Sequence, residues 1–194
     1  SVSNPLTGEI ISADVVNKLL AIKLGYNYRK LYGYTEDNDP LMQYITNLTL
    51  HEVGHVLGLR HNFRGSYLYS PDEIHDKNIT GNVLMSSVMD YDPINIAPEG
   101  VEQGIYFSTE PGVYDKWAVK FGYTPNLTEE ERTALLQQSV KRELTFGTDD
   151  DAMSYPGNNI DPRTKRYDMS NDPIGYAEDI VKICLLYTSP SPRD

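Results

Sequence analysis

The sequence predicts an α+β fold in which one long helix dominates and the C-terminal part is mainly helical. Three observations predict it. A single β-rich run stands near the start, in EIISADVV, and helical patterns follow it. A long segment opening at Asp39-Pro40 carries apolar residues around most of its circumference. The chain of 194 residues, 39% hydrophobic and 23% charged, suits one globular core, alone or with an appendage. The formal charge of −11 argues against nucleic acid or an anionic membrane surface as partner, and no apolar run reaches the length of a membrane span.

Taken in order, Asn4-Pro5 and Thr7-Gly8 are turn chemistry, and Ile10 to Val16 reads as a strand. The tyrosine-rich stretch 17–39 is loosely helical in spacing and reads as a packed, irregular insert. Asp39 is then a helix N-cap with Pro40 at the first helical position. Leu41, Ile45, Leu48, Leu50, Val53, Val56 and Leu57 surround that helix, which predicts that it is buried, and Gly58 is a natural terminator. Residues 62–82 read as a loop in which His75 is a surface histidine. VLMSSVMDYDP, 83–93, is a short apolar stretch that turns at Asp92-Pro93. Residues 113–121 predict a helix ended by Gly122. Thr128 and Glu131 form a capping box that opens a second helix through residue 144, with acidic residues in its first turn. Residues 147–173 are a long polar connector. Within it Asp149, Asp150 and Asp151 lack the spacing of an EF-hand and read as a solvated acidic loop.

DPIGYAEDIVKI predicts a last amphipathic helix, which CLLYTSPSPRD, 184–194, interrupts in mid-pattern. That tail back-translates to codons resembling a transposase-type sequencing adapter read in frame. It is expected to be an artefact rather than a Ser/Pro-rich terminus. It contains the only cysteine, Cys184, so no intrachain disulfide can form. Asn47, Asn78 and Asn126 lie in N-x-Thr sequons and read as structural.

HEVGHVLGLRH, 51–61, holds three of the four histidines. His51 and His55, at i and i+4, stand one turn apart on one helix face, about 40° apart around the axis, and can chelate one ion. Glu52 lies beside the same site, offset from coordination and close enough to hold a water as general base. A turn at Gly58 can return His61 to the same ion as a third ligand. Two buried imidazoles and a buried carboxylate would be costly unless paired, and a divalent cation would satisfy all three. Three nitrogen ligands with an open fourth position suit catalytic zinc rather than structural zinc.

HExxHxxGxxH is the signature of the metzincins, and the chain resembles that family of zinc metallopeptidases. SSVMDY, with Met89 twenty-eight residues after His61, resembles the family's methionine-containing turn. Ser87, Met89 and Tyr91 resemble its astacin and serralysin version. There the resemblance gives Tyr91 a role in ligating zinc or stabilising an oxyanion, with simple packing as the alternative. The chain is similar to large bacterial metzincin-like proteases whose catalytic domain was long of unknown function. HEVGHVLGLRHNF, NPLTGEI, YDKWA and NDP carry that similarity across residues 1–183. Asn62 follows His61 where better-known branches carry Glu, Ser or Asp.

The resemblance implies a metzincin-like catalytic domain over 1–125, whose N-terminal part and signal peptide lie upstream, and a helical extension of it over 126–183. It also implies hydrolysis of a protein or peptide substrate by a zinc-activated water, with Glu52 as general base and Zn2+ on His51, His55 and His61. A secreted or periplasmic location follows from the same likeness. EIISAD would then be the strand that rims the cleft and pairs with substrate, or a plain core strand. The competing reading is a non-catalytic zinc-binding module of metzincin fold, which would have no need of Glu52.

Overall fold

The computed structural model describes residues 2–7, 10–12, 37–152 and 161–188. The insert at 17–36 and the second half of the Ile10–Val16 strand lie outside them. What is described of that strand is β2, Ile10–Ser12, paired antiparallel with β1, Val2–Ser3, across a register irregularity.

The dominant element is α1, Pro40–Val56. The Asp39 carboxylate accepts from the Leu41 N–H at 3.0 Å, and Pro40 occupies the first turn where its missing donor costs nothing. At the far end Gly58 adopts φ +83. Its N–H donates to the His55 carbonyl and the Leu59 N–H donates to the Gly54 carbonyl, both at 3.0 Å. This pair of bonds around a left-handed residue is a Schellman motif, and it reverses the chain toward His61.

The burial of α1 differs from the sequence expectation. Its buried residues are Pro40, Gln43, Asn47, His51 and Gly54, a mostly polar stripe, whereas Val53 is 40% exposed and Met42 56% exposed. The reason lies in what the stripe faces. Residues 84–90 and 104–108 are buried but irregular, so their backbone groups lack ladder partners. The stripe supplies them. The Gln43 side-chain carbonyl accepts from the N–H groups of Tyr106 at 2.6 Å and Phe107 at 3.1 Å. Asn47 donates to the Asp92 carboxyl at 3.1 Å. His51 reaches the Val88 carbonyl. Gly54 lets Met89 approach: a Cβ there would lie 2.2 Å from the Met89 sulfur.

A 3₁₀ turn at Gly65–Leu68 and the short α2, Lys77–Thr80, interrupt the predicted loop. His75 is half-buried rather than on the surface, with its Nδ1 sequestered. The segment 84–90 is buried throughout and hangs on Asp115 in the first turn of α3, Val113–Tyr123. The Asp115 carboxylate accepts from the Ser87 hydroxyl at 2.6 Å and from the N–H groups of Val88 and Gly112, each at 2.8 Å. α3 runs past Gly122 and stops at Thr124, which is extended because Pro125 follows.

The capping box of α4, Glu129–Gln137, forms as predicted, with reciprocal bonds of 2.9 and 3.2 Å between Thr128 and Glu131. The helix is shorter than predicted and gives way to 3₁₀ turns at Gln138–Val140 and Arg142–Leu144. Val140, the next apolar residue, is 87% exposed, so no buried stripe continues to hold the helix.

The predicted polar connector is also corrected. It contains α5, Asp149–Ala152, and then a segment that enters the core. Met169 is fully buried with Ile74, Leu84, Met85 and Ile105, and Tyr176 of α6, Pro173–Thr188, packs on that cluster. The same segment brings Asp168 near Asp90. Burial pushes the Asp168 carboxyl up to about 6, and burial together with the Asp168 charge holds Asp90 well above the usual carboxylate range.

An acid whose folded pKa is raised favours the folded state below its ordinary pKa, and that contribution is lost as pH rises through the folded value. Asp168→Asn is therefore expected to flatten the fall in melting temperature between about pH 4 and pH 7 and to melt higher than the wild type at pH 8. Thermal melts across that range check this; an unchanged slope contradicts it. No helix among the described residues is long and apolar enough to cross a membrane.

Candidate metal centre

His51 and His55 project from the last two turns of α1, and His61 returns from beyond the Gly58 reversal. Each offers a ring nitrogen, and the three nitrogens lie within 4.8 Å of one another. Ring centroids are 4.7 Å apart for His51 and His55, 4.8 Å for His55 and His61, and 5.3 Å for His51 and His61.

The tautomers follow from the second nitrogen of each ring. His51 Nδ1 is 2.8 Å from the Val88 carbonyl, and His55 Nδ1 is 3.0 Å from the Leu59 carbonyl. A carbonyl only accepts, so both Nδ1 atoms carry the proton and both Nε2 atoms present lone pairs. His61 Nδ1 sits 2.9 and 3.1 Å from the two oxygens of Asp149, which imposes the same tautomer. Burial is the main cause that lowers the His51 pKa, with the neighbouring His55 and His61 adding to it, against the Val88 hydrogen bond and the Glu52 charge. That ring is therefore held neutral, the state a ligand requires.

A divalent metal fits this set. The Nε2 of His61 is buried and has no hydrogen-bond partner among the described residues, a cost that a bound cation removes. Three neutral imidazoles with all Nδ1 atoms anchored form a zinc-type donor set.

Around the rings, Phe63 stacks on His61 at 5.1 Å, and Tyr91 lies 4.7 Å from His61 and 5.5 Å from His51. Burial is the main cause that raises the Tyr91 pKa, with Asp149 next, so its phenol keeps its proton at neutral pH. Met89 lies fully buried against Gly54, and its carbonyl accepts from the Asn62 N–H at 3.0 Å. Asn62 therefore ties the residue after His61 to the methionine segment. Glu52 stands beside the site, where its charge acts on both His51 and Tyr91. It is only partly buried, and so is His55, so of the three groups in the burial-cost argument from sequence only His51 meets it.

The sequence profile of the Met-zincin family matches residues 34–186, most of the chain. The chain belongs to the Met-zincin family. No curated protein and no solved structure matches it. Membership implies zinc for the histidine group of this Met-zincin.

The sequence reasoning missed three contributors. Asp149, read as a solvated acid, is the partner of His61, 88 residues away. Burial opposes its ionisation, but the His61 hydrogen bond, the His61 charge and Arg166 outweigh that and hold its carboxyl below the usual range. Arg166 lies 3.6 Å from Asp149 and 5.1 Å above the Phe63 ring. Phe63 itself was visible only as part of HEVGHVLGLRHNF. No local spacing links Asp149 or Arg166 to the histidines, so only the fold reveals them.

Proposed function

We propose that the chain is a zinc-dependent metalloendopeptidase. The observation that carries this is the convergence of one ring nitrogen from each histidine within 4.8 Å, with every Nδ1 anchored so that Nε2 is left for the ion, beside a carboxylate on the same helix. His51, His55 and His61 hold the ion. When bound, zinc supplies Lewis acidity that acidifies a water molecule and polarises a carbonyl oxygen.

Glu52 is the general base. It takes the proton of the attacking water and returns it to the leaving amine nitrogen. Its partial exposure leaves it open to water and to a substrate amide. Tyr91, still protonated and against the His51 and His61 rings, is placed to donate to the oxyanion that develops on the scissile carbonyl. Met89 and its neighbours act as the methionine-containing turn beneath the site. Their role is packing: they carry the Val88 carbonyl that orients His51 and the backbone that orients Tyr91. The substrate is a protein or peptide, and the setting is extracellular or periplasmic.

Cleavage of an unfolded protein substrate by the full chain tests this reading. Chelation of zinc is expected to abolish cleavage and Zn2+ to restore it; cleavage indifferent to zinc removal would overturn it.

A further inference from the structure

Two of the three histidines take their orientation from nearby rigid backbone. His55 bonds within its own helix end, and His51 bonds to a segment nailed down by Asp115. His61 has neither support, because it lies in irregular chain beyond the Gly58 turn. We propose that Asp149 is a positioning residue for His61: its carboxylate fixes the ring and the tautomer of the third ligand and strengthens it as a donor to the metal. The proposal rests on the zinc reading above.

The structure holds Asp149 in place by a separate set of bonds. The Phe63 N–H donates to the Gly147 carbonyl at 2.7 Å, the Asn62 amide donates to the Thr145 carbonyl at 3.1 Å, and the Gly147 N–H donates to the Asn62 side-chain oxygen at 3.1 Å. These three bonds clamp 145–147 against 62–63. Directly after the clamp the Asp151 carboxylate accepts from the Thr148 N–H at 2.9 Å and turns the chain into α5, which aims Asp149 at His61. Gly147 permits the clamp, since a Cβ there would lie 2.8 Å from the Thr164 hydroxyl. Arg166 braces the arrangement from the other side, pairing with Asp149 and covering Phe63, which itself stacks on His61. Both Asp149 oxygens lie within hydrogen-bond reach of one Nδ1. A carboxylate that accepts from the outer nitrogen of a ligating imidazole raises the basicity of the inner one and removes its rotational freedom. Asn62, where better-known metzincins carry Glu, Ser or Asp, belongs to this device: its amide bonds on both sides to the strip that carries Asp149.

Asp150 and Asp151 provide internal contrast. Asp150 pairs with Arg60 at 3.3 Å on the open surface and touches no histidine. The test is Zn2+ affinity of the full chain, measured by competition with a chelating indicator at fixed pH, together with the visible spectrum of the Co2+-loaded chain. Asp149→Asn keeps the shape and an accepting oxygen but loses the charge. It is expected to weaken Zn2+ binding about 10- to 100-fold and to shift the Co2+ spectrum. Asp149→Glu, which keeps the carboxylate, should recover part of the loss, and Asp150→Asn should match the wild type. Melting of the metal-free chain should be alike in Asp149→Asn and Asp150→Asn.

Wild-type affinity and spectrum in Asp149→Asn would overturn the proposal, as would Asp149→Glu binding no better than Asp149→Asn. Because peptide cleavage is not the readout, these results leave the peptidase reading standing. A chain that shows the expected loss but cleaves nothing would sink that reading alone, and a wild type that does not bind Zn2+ would sink both.

Discussion

Glu52→Gln in the full chain is expected to bind zinc as the wild type does and to cleave peptide about 10²- to 10⁴-fold more slowly. The amide has the size of the carboxyl it replaces, but it cannot accept a proton from water. Glu52 is one residue past His51 in the penultimate turn of α1 and is partly exposed, so its replacement leaves no buried group unpaired. The Nδ1 anchors of the three histidines are the Val88 and Leu59 carbonyls and Asp149, and none of these involves Glu52. The melting temperature should therefore stay with the wild type while turnover falls. Steady-state cleavage together with bound-zinc analysis reads both quantities. Wild-type turnover in the variant would contradict the assignment of the base.

The largest expected effect on folding is at Gly112. A Cβ at this position would lie 2.0 Å from the Ser86 carbonyl oxygen, 2.2 Å from its carbon and 2.7 Å from the Met85 carbonyl oxygen. These are backbone atoms, so no side-chain rotation relieves the overlap. The Ser86 carbonyl also accepts from the Tyr114 N–H at 2.8 Å, which binds the two segments at this point. Gly112→Ala is expected to destabilise by about 3 kcal/mol, at the upper end for overpacking. It should also weaken zinc binding, because the displaced segment carries the Val88 carbonyl that orients His51. Gly122, inside α3 with open space around it, is the contrast: Gly122→Ala should stabilise by about 0.5–1 kcal/mol. Denaturant unfolding of the two variants checks the pair; equal stabilities would contradict the packing described around Ser86.

How far the sequence could be read depended on the range of each interaction. The α1 boundaries were legible because caps are local: Asp39-Pro40 at one end and Gly58 at the other act on their immediate neighbours. His51, His55 and His61 were legible for the same reason, as one turn of helix and one reversal bring them together. The burial of α1 was misread because counting apolar residues does not tell what a helix faces. Its buried stripe is polar since Gln43 and His51 meet irregular backbone and Asn47 meets the Asp92 carboxyl. Gly122 looked like a terminator, but Pro125 ends that helix instead. Asp149 was beyond reach in principle, since nothing within 88 residues of sequence ties an acidic triplet to a histidine.

The central claim is that His51, His55 and His61 form one zinc site. Metal analysis of the purified full chain after dialysis against Zn2+ tests it most directly. One zinc per chain in the wild type, and none in a variant with all three histidines replaced by alanine, is the predicted result. A wild type that retains no zinc, or a variant that retains as much as the wild type, would contradict it.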